Sequence, residues 1–197
     1  MVETKFDKSY VKNCIEEVVP LVEEESKLKC NLKNFGVILL SKSRLEEYTK
    51  IEDSFGGYVT GTNLFLLFNE PIGNEEATKL VLGHEVTHHA QDNSFPNFYD
   101  GVSVLEKQRK IKHDRLSPLM KLIEGDATFI ERKLKEKYFK HAMMSIGESP
   151  MAPYEFFQDL DYLSWANILE KKFNGNRRDI NELYTAPIEE LVKIFRE

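Results

Sequence analysis

The stretch Leu80-Val81-Leu82-Gly83-His84-Glu85-Val86-Thr87-His88-His89 decides how the rest of this chain is read. On a helix, residues four apart lie one turn above each other on the same face. His84 and His88 can therefore offer two imidazoles to one metal ion. Glu85 follows His84 round the helix and can act as a base toward a water at that metal. The His-Glu-x-x-His spacing reads as a zinc site with a carboxylate general base. It arises by chance on the order of once in a hundred chains of this length, so its surroundings must carry part of the argument.

Upstream, Asn74 can cap the motif helix, with Glu75 and Glu76 in a first turn that the helix dipole favours. The helix is expected to run to about Asp92. Before it, Gly56 to Thr60 and Asn63 to Asn69 flank Gly61-Thr62 and read as a hairpin or two adjacent strands. The second of these is either an edge strand that aligns an extended substrate or a core strand; Leu and Phe on both faces favour burial. Phe35 to Leu40 is short, apolar and β-rich, which predicts a buried strand. Ser41 to Lys50 reads as a short helix with Leu45 and Tyr48 inward. Between Asp7 and Leu28, Val11, Cys14, Ile15, Val18, Leu21 and Val22 recur at helical spacing, and Pro20 predicts a kink or a split into two helices.

Downstream, Asn93 to Asn97 breaks the pattern. Val104 to Lys112 is a candidate helix with a basic, solvated face, and His113 beside it reads as exposed. Ser117-Pro118 marks a helix start, with Ser as cap and Pro in the first turn. That helix is expected to reach about Tyr138, with Leu119, Leu122, Ile123, Ala127, Ile130 and Leu134 inward. Ser149 to Pro153 reads as a loop. A further helix from Tyr154 to Phe173 stops at Asn174-Gly175. Asp179 to Tyr184 and Pro187 to Phe195 predict two short closing helices. The order gives an α+β fold in a single domain over residues 1–197, with sheet and motif helix in 1–92 and a helical part in 93–197.

Composition narrows the function classes. A 197-residue chain with 41% hydrophobic and 30% charged residues is an ordinary globular mix. The net charge of -6, with no strongly basic stripe, argues against a nucleic-acid partner. No apolar run approaches the ~20 residues of a membrane helix. Met1 to Lys8 is charged and lacks the apolar core of a signal peptide. Cys14 and Cys30, with no CxxC, read as thiols in a reducing cytoplasm. Oligomeric state is not legible.

Catalytic zinc usually has three protein ligands, so a third is sought on a later rigid element. Glu124 is the best candidate. It sits mid-helix among Ile123 and Ala127, where an unpartnered carboxylate is costly to bury. Gly125 costs the helix up to ~1 kcal/mol relative to alanine, which suggests close approach of another backbone, such as the motif helix.

At this point the chain resembles a known family. His84-Glu85-Val86-Thr87-His88-His89-Ala90-Gln91-Asp92 followed by Leu122-Ile123-Glu124-Gly125-Asp126-Ala127-Thr128 looks like the paired signature of gluzincin-type zinc metallopeptidases, especially small prokaryotic members such as the minigluzincins. The resemblance implies a zincin-like fold, a Zn2+ cofactor held by His84, His88 and Glu124, and Glu85 as base. It covers roughly residues 35 to 130. It extends weakly to Pro153-Tyr154 and to Asn181-Glu182-Leu183-Tyr184-Thr185-Ala186-Pro187. The chain departs from the better-known members in two ways. They carry a carboxylate partner for a zinc histidine four residues after the ligand Glu, where this chain has Thr128, with Asp126 on another face of the helix. The 35 residues between His88 and Glu124 (89 through 123) also make a longer gap.

The expected activity is metalloendopeptidase hydrolysis of a peptide or protein substrate. Glu85 takes a proton from water and returns it to the leaving amine. Tyr154, Tyr184, Tyr138 and His141 are candidates to support the oxyanion, and Tyr154 is favoured because the resemblance touches it. His89, offset by ~100° from His88, reads as structural or as a partner of a ligand. The segment beyond about residue 140 could cover the cleft and keep the enzyme latent. Two rival readings stay open: a zinc-binding, non-catalytic scaffold that recognises a partner protein, and a helical interaction domain with a chance motif.

Overall fold

The computed structural model describes residues 6–49, 54–98, 118–145, 150–154 and 159–195. The expected basic segment Val104 to Lys112, His113 and the Ser117 cap lie outside them. The fold is α+β, with more helix than sheet.

Helix α1 (Lys8–Ser26) starts at Asp7, whose carboxylate accepts the amides of Ser9 and Tyr10, and stops at Lys27 in the left-handed region. It is one continuous helix with Pro20 inside it, not two shorter ones. Pro20 and Glu16 are both exposed, so water can serve the Glu16 carbonyl that proline leaves without a donor. Val11, Cys14, Ile15, Val18 and Val22 face the core.

Strand β1 (Gly36–Leu40) is followed by helix α2 (Lys42–Thr49), strand β2 (Gly56–Val59) and strand β3 (Leu64–Phe68). β1 and β3 run parallel, β2 and β3 antiparallel, in the order β1-β3-β2. β3 is therefore the middle strand, with Phe65, Leu66 and Leu67 buried on both faces, and it is not an edge that could align a substrate. β2 is the strand beside the motif helix. Tyr48 is 64% exposed, contrary to expectation. Thr49, four residues after the buried Leu45, faces the sheet instead, with its methyl against Gly57.

Helix α3 (Glu75–Ser94) carries the motif. Asn74 caps it by accepting the Ala77 amide. The same side chain accepts the Met143 amide and donates to the His141 carbonyl, which ties the helix start to strand β4 (Met143–Met144). Helix α4 (Pro118–Lys137) packs against α3 and α1. Strand β5 (Ala152–Pro153) pairs with β4, and the Tyr154 amide bonds the Ala142 carbonyl. This pairing removes residues 152–154 from the expected loop and helix. Helix α5 (Leu160–Phe173) accordingly starts six residues later than expected, at the Asp159 cap, and ends at Asn174-Gly175. Helix α6 (Arg177–Glu182), a 3-10 turn (Leu183–Thr185) and helix α7 (Ile188–Ile194) close the chain.

One apolar core runs through all of this, from Val11 and Ile15 through Phe65, Leu80 and Val86 to Leu134, Trp165 and Leu191. α4 packs most extensively on α5. There Gly125 is required: a Cβ on it would lie 2.8 Å from Trp165 Cβ and 3.1 Å from the Trp165 backbone. The close approach inferred for Gly125 thus exists, but the partner is α5 rather than the motif helix. Cys14 is buried, Cys30 half-buried, and both are free thiols. Among the described residues, no helix is long and apolar enough to cross a membrane.

Candidate metal centre

Two helices meet at the site. α3 presents His84 and His88 on one face, and α4 presents Glu124 across from them. His84 Nε2 lies 3.2 Å from Glu124 Oε2, and His88 Nε2 lies 3.4 Å from the same oxygen. One donor atom from each of the three residues falls within 4.8 Å of the others. These separations test whether a zinc ion fits. Bonds of ~2.0–2.1 Å at tetrahedral angles place neighbouring donor atoms ~3.3 Å apart. The two edges to Glu124 bracket that value and the third lies within 4.8 Å, so the cluster is of a size that could hold such an ion.

The far nitrogens are also committed. His84 Nδ1 is 2.9 Å from Glu131 Oε2, and His88 Nδ1 is 3.1 Å from Gln91 Oε1. Both acceptors hold a hydrogen on Nδ1, so Nε2 is the nitrogen each ring would offer a metal on giving up its second proton. Thr128, where the resemblance placed a carboxylate, does not serve; Glu131, two turns beyond Glu124, does. The sequence reading missed Glu131 and Gln91. The available signal was spacing: Gln91 follows His88 by three and Glu131 follows Glu124 by seven, both helix-face intervals. Asp126, on a different face from Glu124 as expected, is fully buried and accepts the Gln91 amide at 3.1 Å.

Electrostatics follow from the geometry. Burial would raise the Glu124 carboxyl, but the His88 and His84 rings outweigh it and hold the group far below the ordinary carboxylate range. Burial opposes a charged His84, yet its bonds to Glu124 and Glu131 hold the ring well above the usual histidine value. His88 is held up likewise, chiefly by Glu124 against burial. Glu85 is different. Burial pushes its carboxyl upward, and the neighbouring His84 and His88 charges offset that only in part. It lies against β2, where a Cβ on Gly56 would be 3.1 Å from Glu85 Cγ and 3.2 Å from Oε1. Gly56 thus makes the space the carboxylate occupies.

Of the four oxyanion candidates, the structure brings one to the site. Tyr154 is buried, with its hydroxyl bonded to Glu131 and within electrostatic reach of Glu85; burial first, then those carboxylates, raises it well above the usual phenol value. Tyr184 donates to Asp126 at 2.9 Å behind the site. Tyr138 donates to Glu25 at 3.1 Å. His141 is exposed, and its backbone meets Glu76 and Asn74. Tyr162 of α5, absent from the sequence reading, lies parallel to the His84 ring, with centroids 6.5 Å apart and planes 14° apart. His89 points away into Tyr58 and Phe65, where its Nε2 accepts the Asn31 amide at 3.2 Å. It is structural.

No family model, no curated protein and no solved structure matches this chain.

Proposed function

We propose that this chain is a zinc-dependent peptidase with a zincin-like arrangement, in which His84, His88 and Glu124 hold the metal and Glu85 is the general base. The observation that carries the proposal is the pair of 3.2 and 3.4 Å edges to Glu124, with both Nδ1 atoms engaged away from the centre. A zinc ion held there supplies Lewis-acid polarisation of the scissile carbonyl and acidifies water.

The chain's own residues do the rest. Glu85 accepts the proton of water as the water oxygen bonds to the carbonyl carbon. Its carboxyl, raised by burial, is suited to take that proton and hold it until the leaving nitrogen becomes basic enough to accept it. It passes to the amide nitrogen as the carbon–nitrogen bond breaks. Tyr154 can turn its hydroxyl from Glu131 toward the charge that develops on the carbonyl oxygen. The substrate is a peptide or protein, and the free thiols suit a cytoplasmic setting.

The ligand side chains are only about one-tenth exposed, which also suits a non-catalytic zinc site. Glu85 favours the enzyme reading, because a purely structural site gains nothing from an extra buried carboxylate beside three satisfied ligands. The test is cleavage of a diverse peptide library by zinc-loaded protein and by Glu85→Gln. We expect cleavage by the wild type and a loss of ~10²–10⁴ in rate for the variant with its zinc retained. Zinc binding without cleavage of any peptide would turn the assignment to the scaffold reading.

A further inference from the structure

Behind His88 a buried polar chain leads away from the metal centre to the C-terminal part of the fold. We infer that Arg177, at the start of α6, is a positioning residue for that centre, acting through Asp126 and Gln91 on the His88 ring. The inference rests on the metal-centre reading above.

Each link fixes the next because its members can hydrogen-bond in one sense only. The Arg177 guanidinium only donates. Its Nη1 meets Asp126 Oδ1, and its Nη2 meets Oδ2 at 3.2 Å. Tyr184 adds a third donor to Oδ2 at 2.9 Å. The Asp126 oxygens therefore stand as acceptors. Gln91 Nε2 lies 3.1 Å from Oδ2 and 3.4 Å from the Ile123 carbonyl. A carboxylate and a carbonyl can only accept, so the Gln91 group facing them is its NH2. That turns Gln91 Oε1 to His88 Nδ1, which must then carry the ring hydrogen. Nε2, which faces Glu124 at 3.4 Å, is then the nitrogen that would give up its hydrogen to a metal.

The chain is sealed from water. Asp126 is fully buried and Gln91 is at 0% exposure. Arg177 is itself fixed by the Ser26 carbonyl at 3.3 Å and by Asn181 at 2.8 Å. Without Arg177, Asp126 keeps only the Tyr184 donor and can turn from Gln91, whose NH2 is then held by the Ile123 carbonyl alone, at 3.4 Å, and is freer to turn over. His88 would then meet an NH2 group and lose the constraint on its tautomer. Partners of this kind typically matter 10–100-fold in metal affinity.

The experiment is a double-mutant cycle in zinc affinity, read by competition with a chromophoric chelator on the full chain. Gln91→Leu and Arg177→Met should each weaken zinc binding about 10–100-fold. The double variant should be no weaker than Gln91→Leu alone, since Arg177 acts through Gln91. Arg177→Lys should recover most of the loss. A role confined to anchoring α6 would instead make the two effects multiply, and that result overturns the inference, as does wild-type affinity in Arg177→Met. If Arg177→Met does not fold, Tyr184→Phe takes its place in the cycle, because it keeps the stacking on Phe95 and removes one donor to Asp126. Unchanged affinity in Tyr184→Phe then counts against the inference. Absence of stoichiometric zinc in the wild type overturns the metal-centre reading and the inference together; wild-type zinc with an additive cycle overturns the inference alone.

Discussion

Replacing Glu131 by glutamine isolates the support of His84. The carboxylate accepts His84 Nδ1–H at 2.9 Å and the Tyr154 hydroxyl, and the residue is 6% exposed, so water cannot take over either bond. Hydrogen bonds to a charged group contribute ~1.5–3 kcal/mol, against ~0.5–1.5 kcal/mol for neutral ones. Glutamine keeps an acceptor oxygen but removes the charge, so the ring should lose ~1–1.5 kcal/mol of support. That is about tenfold in zinc affinity. Glu131→Ala should lose more, because two buried donors are stranded at ~1–3 kcal/mol each. The assay is chelator competition near neutral pH, with circular dichroism to check the fold. Tyr154→Phe is the control. It touches Glu131 but no ligand, so its zinc affinity should stay close to wild type while hydrolysis falls. A folded Glu131→Gln protein that binds zinc like the wild type would refute the reasoning.

Other expectations concern pH, packing and the C-terminal part. Burial holds His89 below the ordinary histidine value, so the folded chain favours its neutral form. The stability it contributes is complete above the unfolded value of ~6.5 and is lost as pH falls below it; the stability gap between apo wild type and His89→Phe, measured by urea denaturation, should shrink as pH is lowered through that range. His84 and His88 are held above the ordinary value without metal, so zinc uptake at neutral pH should release protons, seen as buffer-dependent heats in titration calorimetry. Gly125→Ala should be overpacked against Trp165, costing ~1–3 kcal/mol and lowering Tm by roughly 2–10 °C, with zinc stoichiometry kept. Truncation after Tyr138 removes Tyr154, Arg177 and Tyr184. It should therefore weaken zinc binding rather than release a latent activity, as measured by metal content of the purified fragment.

The cluster of His84, His88 and Glu124 was legible in the sequence because its signals are local. His84 and His88 share a helix face by spacing alone, and Glu124 stood out as a carboxylate at an apolar mid-helix position. The sheet was legible as strands but not as an order: nothing in Leu64–Phe68 says that a parallel neighbour, β1, would cover its second side. Support of the ligands was mostly illegible. Glu131 meets a ring 47 residues earlier in the chain, and Arg177 meets Asp126 across 51 residues. Such pairings are set by how α3, α4 and α6 pack, which no local pattern records. Helix α5 began late for a similar reason: the pairing of Ala152–Pro153 with Met143–Met144 overrode a segment that reads locally as loop and helix.

The central claim is that His84, His88 and Glu124 form one metal centre. The most direct measurement is the metal content, by elemental analysis, of wild type, His84→Ala and Glu124→Ala after equilibration with zinc and removal of loosely held ions. We expect one zinc per chain in the wild type and little or none in either variant, with all three proteins folded. A wild type without stoichiometric metal, or a Glu124→Ala protein that retains zinc as the wild type does, would contradict the account.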